Sequence, residues 1–409
     1  MKNKIKFVKA REILDSRANP TVEAKIILES GAVGIASVPS GASTGIHEAH
    51  ELRDNDKSRF NGRGVLLAVE NVEKIIAPAI IGKECDYKEI DKIMKELDGS
   101  DNKSNLGANA ILAVSIASAR AAANHEKSEL YEYLGGYNHQ GFPIPMFNVL
   151  NGGAHASNNI DIQEFMIVPY GLSYGEALRA GSEIYHTLGL LLKAKGLSTG
   201  VGDEGGYAPN LSSDEEAMDL LCLAIKKSGY DFNKVGIALD VASSEWYENG
   251  SYHLPKRDRI MSADELIEYY QRLIKTLPII SIEDGLAEDD FDGWQRLTSA
   301  LKSKVMLVGD DLFVTNEKRL KEGISLGIGN SILIKPNQIG TLSETLSVIS
   351  LAKEAGYKVI ISHRSGETSD SAIADIGIAA KADFIKAGAP CRGERVAKYN
   401  RLSEIINKF

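Results

Sequence analysis

PIISIE (Pro278–Glu283), VMLVGD (Val305–Asp310), SILIK (Ser331–Lys335) and KVIISH (Lys358–His363) are apolar runs that each stop at a reactive polar residue. VGIALD (Val235–Asp240) before them and DFIK (Asp383–Lys386) after them do the same. The six end residues, Asp240, Glu283, Asp310, Lys335, His363 and Lys386, are 43, 27, 25, 28 and 23 positions apart, and most gaps hold a helical pattern. That is the beat of a β/α barrel, whose reactive groups sit at the carboxyl ends of its strands. Rim salt bridges also put charges at strand ends, but a series of six in step with the strands points to one shared site.

Upstream, the barrel pattern continues with early strands at Ile144–Val149 and Asp161–Val168 and a long helical segment at Tyr174–Ala194. Residues 1–134 read differently. Ile5–Val8, Thr21–Leu28 and Ala32–Val38 look like strands, the last two joined by the hairpin turn Glu29-Ser30-Gly31. Helical patterns follow at Gly64–Ile76, Tyr87–Leu97 and Gly107–Asn124. The expected fold class is α/β. An N-terminal α+β capping domain (1–134, a three-stranded sheet plus helices) is followed by a linker (135–141) and a catalytic barrel (142–409).

Composition narrows the partners. A net charge of −9 and a pI near 5.5 argue against nucleic acid or an anionic membrane. Cys85, Cys222 and Cys391 lack a CxxC spacing, which fits a reducing compartment and excludes a zinc cluster of that type. The start, MKNKIKFVKAREIL, has no signal-peptide apolar core. Leu106–Ala123 is the longest candidate for a membrane span, but Asn109, Ser115, Ser118 and Arg120 interrupt it; a small-residue helix packed between other elements fits better. A cytoplasmic protein is expected.

Asp240, Glu283 and Asp310 offer only hard oxygen ligands, which select Mg2+, Mn2+ or Ca2+, with Mg2+ preferred. Two like charges about 4 Å apart repel by about 4 kcal/mol at an effective dielectric of 20, and a divalent cation reverses the sign. Lys335 and Lys386 can serve as a base with a lowered pKa or as anion-binding ammoniums; position alone does not choose. In Gly202-Asp203-Glu204-Gly205-Gly206, Glu204 is either a general acid or part of a surface turn. Pro39-Ser40-Gly41-Ala42-Ser43-Thr44-Gly45 can close over phosphate or metal oxygens but lacks a Walker ending. His363-Arg364-Ser365-Gly366 offers a guanidinium fork and a hydroxyl for phosphate. His155, in a glycine-rich turn, and Gln163-Glu164 complete the candidate set.

AREILDSR, VPSGASTG, LGANAIL, NGGAH, QEFMI, VGDEGGYAPN, SIEDG, VGDDLFVTN, IKPNQIGTL, SHRSGET and IKAGAPCRGERVAKYN occur in that order across nearly the whole chain. Together they resemble the enolase family. The resemblance implies reversible dehydration of 2-phosphoglycerate to phosphoenolpyruvate and a pair of Mg2+ ions. It makes Lys335 the base and Glu204 the acid. Asp240, Glu283 and Asp310 become the ligands of the tighter ion, and Ser43 closes over the second. Arg364 and Ser365 become phosphate contacts, and Lys386 faces the substrate carboxylate. His155, Gln163, Glu164 and His363 become further pocket residues.

The chain departs from the family pattern at Ala18, usually Gly, and at Ser157, Tyr207, Pro336 and Ser371, none of which removes a reactive group. In the tail, Glu404 stands where an Arg commonly meets the residue matching Glu23 across a dimer interface. That contact is expected to be lost or repulsive, with a homodimer held by other contacts and an octamer left open. A superfamily enzyme acting on a non-phosphorylated acid, or an inactive binding protein, would be expected to lose the SGASTG loop, the Arg364-Ser365 pair or a reactive position. All are present.

Overall fold

The computed structural model describes residues 3–41, 47–135 and 141–408. β1 (Ile5–Leu14), β2 (Pro20–Leu28) and β3 (Val33–Ser37) form an antiparallel sheet in that order. β1 runs past Val8 because β2 keeps it in register, with Ala10 opposite Ala24 and Leu14 opposite Pro20. Ala10 is buried while Lys9 and Arg11 face outward, so the period of two survives although the apolar run ends. The buried face packs on the alanine-rich helix Ala108–Glu126, the small-residue segment noted in the sequence. A Cβ on Gly34 would stand 2.0 Å from the Ala117 carbonyl, so glycine permits this close approach. On its other side Ser115 Oγ accepts the Leu342 amide of a barrel helix at 3.0 Å.

The barrel strands are β4 (Ile144–Asn151), β5 (Glu164–Val168) and β6 (Gly236–Asp240), then β10 (Ile279–Glu283), β11 (Met306–Gly309), β12 (Ser331–Ile334), β13 (Lys358–Ser362) and β14 (Phe384–Lys386). Between them, β7 (Tyr247–Glu248), β8 (Ser251–Leu254) and β9 (Arg259–Met261) form a small separate sheet. This excursion and the helix Ala263–Thr276 occupy the long 43-residue interval between Asp240 and Glu283. The barrel closes in the order β4-β5-β6-β10-β11-β12-β13-β14.

One strand runs against the rest: β5 is antiparallel to both β4 and β6. A loop rather than a crossover helix joins β4 to β5, and an antiparallel pair needs no more. β5 begins at Glu164 rather than Asp161. The Asp161 and Ile162 amides donate to Asp214 Oδ1 at 3.0 and 3.2 Å, and Asp161 Oδ1 accepts the Lys256 amide at 2.8 Å, so these residues belong to the loop.

Inside the barrel Met146, Met166, Ala238, Val308, Leu333 and Ile360 pack together, and the outer faces of the strands pack under the surrounding helices. Strands buried on both faces are why the sequence shows unbroken apolar runs. Among the described residues no helix is long and apolar enough to cross a membrane.

Candidate active site

A parallel strand presents its last residue to the carboxyl-end rim, and the reversed β5 presents its first. Glu164 therefore pairs in register with Asp240 on one side and Asn151 on the other. Asp240, Glu164, Glu204, Asp310, Lys335 and Lys386 line one pocket at this rim, together with His155, Gln163 and the His363-Arg364-Ser365 segment.

One wall is organised by lysines. Lys386 Nζ lies 2.9 Å from Asp240 Oδ2, 2.9 and 3.0 Å from the Glu283 oxygens, and 3.2 Å from Glu164 Oε2. Burial disfavours its charge, but Asp240, Glu164 and Glu283 outweigh burial and hold the ammonium well above its ordinary pKa. Burial and the Asp240 charge push Glu283 well above the carboxylate range. Three carboxyls thus face one ammonium, and Glu164 Oε2 makes no hydrogen bond among the described residues. This oxygen-only set with excess negative charge fits a hard divalent cation.

Next to it, Lys335 Nζ bonds Asp310 Oδ2, and Gln338 Nε2 donates to Asp310 Oδ1 at 2.9 Å. Burial opposes the charge on Lys335, but Asp310 more than offsets it and raises the pKa. Asp310 does not join Asp240 and Glu283 on Lys386; it groups instead with Asp284 and Asp311 at metal-sharing distance. Asp284, at φ 42, accepts the amides of Asp310 and Asp311 at 2.9 Å each and shapes the strand end.

Imidazoles organise the other wall. Asn148 Nδ2 donates to Glu204 Oε2 at 3.0 Å, and His363 Nε2 lies 3.3 Å from the same oxygen. Arg395, wholly buried, donates from Nη1 to His363 Nδ1 at 2.7 Å, which leaves the ring proton on Nε2, facing Glu204. Burial lowers the His363 pKa to about 4, against the pull of Glu204. His155 behaves oppositely: burial would lower it, but Glu204 and Glu164 push it up to about 9. Its Nδ1 is 3.4 Å from Glu164 and 3.9 Å from Glu204. Burial resists charge on Glu204, but His363, His155 and Arg395 outweigh it and keep the carboxyl well below its ordinary range. Burial and the Glu204 charge raise Glu164.

Arg364 Nη1 and Nη2 donate to Glu48 at 2.8 and 3.2 Å, and Ser365 Oγ lies 3.4 Å from His155 Nε2. Ser40 and Gly366 exchange backbone hydrogen bonds at 2.8 and 2.9 Å, which brings the capping domain against this segment. Ser43 lies outside the described residues. Gln163 Nε2 is 3.5 Å from Asp240 Oδ2. Sequence reasoning did not single out Glu48, Asn148, Asp284, Asp311, Gln338 or Arg395. Four of them sit inside quoted motifs, but their partners come from distant segments.

Fold and site together define a lyase of the enolase superfamily. The chain belongs to the enolase family. The family described as Enolase, N-terminal domain matches residues 5–134, and that described as Enolase, C-terminal TIM barrel domain matches residues 139–409.

Proposed function

We propose that this chain catalyses the reversible, Mg2+-dependent dehydration of 2-phospho-D-glycerate to phosphoenolpyruvate and water. What supports this most is a single pocket lined by Lys335 on one wall and by Glu204, His155 and His363 on the other. Lys335 takes the proton from the carbon beside the substrate carboxylate, and Glu204 delivers a proton to the departing 3-hydroxyl. Lys386 faces the substrate carboxylate, Arg364 and Ser365 hold the phosphate, and His155, Gln163, Glu164 and His363 shape the remaining pocket.

Proton removal adds negative charge to a substrate already carrying phosphate and carboxylate. An unopposed repulsion of about 4 kcal/mol slows such a step roughly a thousandfold. Asp240, Glu283 and Asp310 would hold one Mg2+ and Ser43 would close over a second; when bound, these ions supply positive charge for the enediolate oxygens. Lys335 must be neutral to act as base. Of the groups acting on it, burial, Arg364 and Lys386 lower its pKa, and Asp310 and Asp311 raise it. Once the Asp310 carboxylate is engaged elsewhere, the lowering contributions dominate. Glu204 must carry a proton to act as acid, and Glu164, whose pKa is raised, and His155 Nδ1 between the two carboxyls form a local store.

We take residues 1–134 as the cap, 135–141 as the linker (136–140 lie outside the described residues) and 142–409 as the catalytic unit of a cytoplasmic homodimer, with an octamer left open. Glu23 already has Arg11 at 2.6 Å and Ser37 Oγ at 3.0 Å, and Glu404 has Arg401 at 3.0 Å. Each carboxylate is therefore neutralised within its own chain, which weakens the expected repulsion between them. Light scattering at micromolar concentration that found only monomer would remove the dimer. The reaction itself is tested by ultraviolet absorbance on mixing protein, 2-phosphoglycerate and Mg2+. A rise from the enol double bond that chelator abolishes is expected; no rise from folded, metal-loaded protein overturns the reading.

A further inference from the structure

Gln338 follows Lys335 in a single helical turn, Pro336–Ile339, and is 1% exposed. Its hydrogen bonds fix which way its amide points. Thr315 Oγ1 accepts the Lys335 amide at 2.9 Å, so its own proton is free to go to Gln338 Oε1 at 2.8 Å. The amide NH2 then faces two carboxylates, Asp310 Oδ1 at 2.9 Å and Glu48 Oε1 at 3.4 Å. A flipped amide would set its oxygen against both carboxylates and its NH2 against the Thr315 hydroxyl proton. The Gln338 backbone carbonyl also accepts the Ala49 amide at 2.8 Å. One residue thus bonds the capping-domain segment through Glu48, the partner of Arg364, and through the Ala49 amide, while its side chain holds Asp310, the carboxylate that Lys335 Nζ bonds. By occupying Asp310 Oδ1, it leaves Oδ2 as the oxygen turned toward Lys335.

We propose that Gln338 is a positioning residue that links the seating of the 47–51 segment to the orientation of Asp310 and Lys335. When the segment is seated, Glu48 and the Ala49 amide steady Gln338, and Gln338 steadies the carboxylate. When the segment lifts, the carboxylate loses one fixed donor. This rests on the proposed roles of Asp310 as ligand and Lys335 as base, but the mechanical link can be scored apart from them.

The test uses the full chain with Gln338→Leu, Thr315→Val and Thr315→Ser. Hydrogen exchange of the 47–51 amides, measured without metal or substrate, is expected to quicken at least tenfold in Gln338→Leu. It should quicken less in Thr315→Val and stay within twofold of wild type in Thr315→Ser, which keeps the hydroxyl. Calorimetric Mg2+ affinity should fall about 10- to 100-fold in Gln338→Leu, the range for residues that orient metal ligands. If Gln338→Leu does not fold, Gln338→Glu keeps the shape, removes the donors and must show the same quickening. Exchange within twofold of wild type in every variant overturns the proposal. If wild type binds no Mg2+ and turns over no 2-phosphoglycerate, the functional reading fails, while the exchange result still decides whether Gln338 links the two domains.

Discussion

The two walls of the pocket solve the same problem, burying charge, in different ways. On the lysine wall, fixed ammoniums face carboxylates: Lys386 with Asp240, Glu283 and Glu164, and Lys335 with Asp310. On the imidazole wall a proton is distributed, with His155 pushed up to about 9 and His363 held down to about 4. The difference follows from the neighbours. His155 Nδ1 faces the Glu164 and Glu204 carboxyls and its Nε2 the uncharged Ser365 hydroxyl, whereas the second ring nitrogen of His363 is claimed by Arg395. In the proposed reaction one wall would hold cations and remove a proton, and the other would store and return one.

Loss of Lys335 should disable the lysine wall most completely. Lys335→Ala is expected to cost at least about a thousandfold in turnover, within the range for loss of a general base plus its positioned charge. Calorimetry should still find Mg2+ bound, and circular dichroism should find the fold intact. Turnover near wild type would remove Lys335 as the base.

Lys386→Met tests the same wall through stability. It leaves three buried carboxyls without their ammonium, which should destabilise the metal-free protein by about 3–5 kcal/mol. Mg2+ should then raise the melting temperature of the variant more than that of wild type, because the ion substitutes for the lost charge. Equal rises in both proteins would place the ion somewhere other than Asp240 and Glu283.

The imidazole wall predicts opposite pH responses from its two histidines in metal-free protein. An unfolded imidazole titrates near about 6.5. His155 adds stability that is present below that value and lost as the pH rises to about 9. His363 adds stability that is present above it and lost as the pH falls toward about 4. Urea unfolding of His155→Gln should show a flatter alkaline side, and that of His363→Gln a flatter acid side. Each change should be on the order of 1–3 kcal/mol across its window. A variant pair that flattened the same side would contradict the assignment of the two charge states.

Much of the lysine wall was legible in the sequence, and less of the other. Strands buried on both faces write themselves as apolar runs, so Asp240, Glu283, Asp310, Lys335 and Lys386 announce their place by ending one. Strand direction leaves no such trace. The reversal of β5, which brings Glu164 to the rim, goes with a loop before it that is held by Asp214 and Lys256 from distant segments. Arg395 and Gln338 were hidden for another reason. Arg395 meets His363 from a helix 32 positions away, and Gln338 meets Glu48 across 290. Such contacts are set by how the cap and the final helix pack, which local periodicity does not encode. The departures from the family pattern were visible at once, but only backbone angles give one of them a consequence.

That departure is Ala18, in the turn between β1 and β2, outside both walls. It adopts φ 60, the left-handed region, with its amide donating to Asp15 O at 3.0 Å. Asp15 Oδ1 accepts the Arg17 and Asn19 amides at 2.8 Å each, so the turn is held from within and the alanine bears the strain. An L-residue in this region costs roughly 1–2 kcal/mol. Glycine relieves that cost but gives back about 0.4–1 kcal/mol through a freer unfolded chain. Ala18→Gly should therefore stabilise the protein by about 0.5 kcal/mol, with kinetics unchanged because no side chain of either wall moves. Urea midpoints can resolve the shift if several unfolding curves are averaged. A variant less stable than wild type would mean that the turn relaxes out of the left-handed region in solution, taking the Asp15 bonds with it.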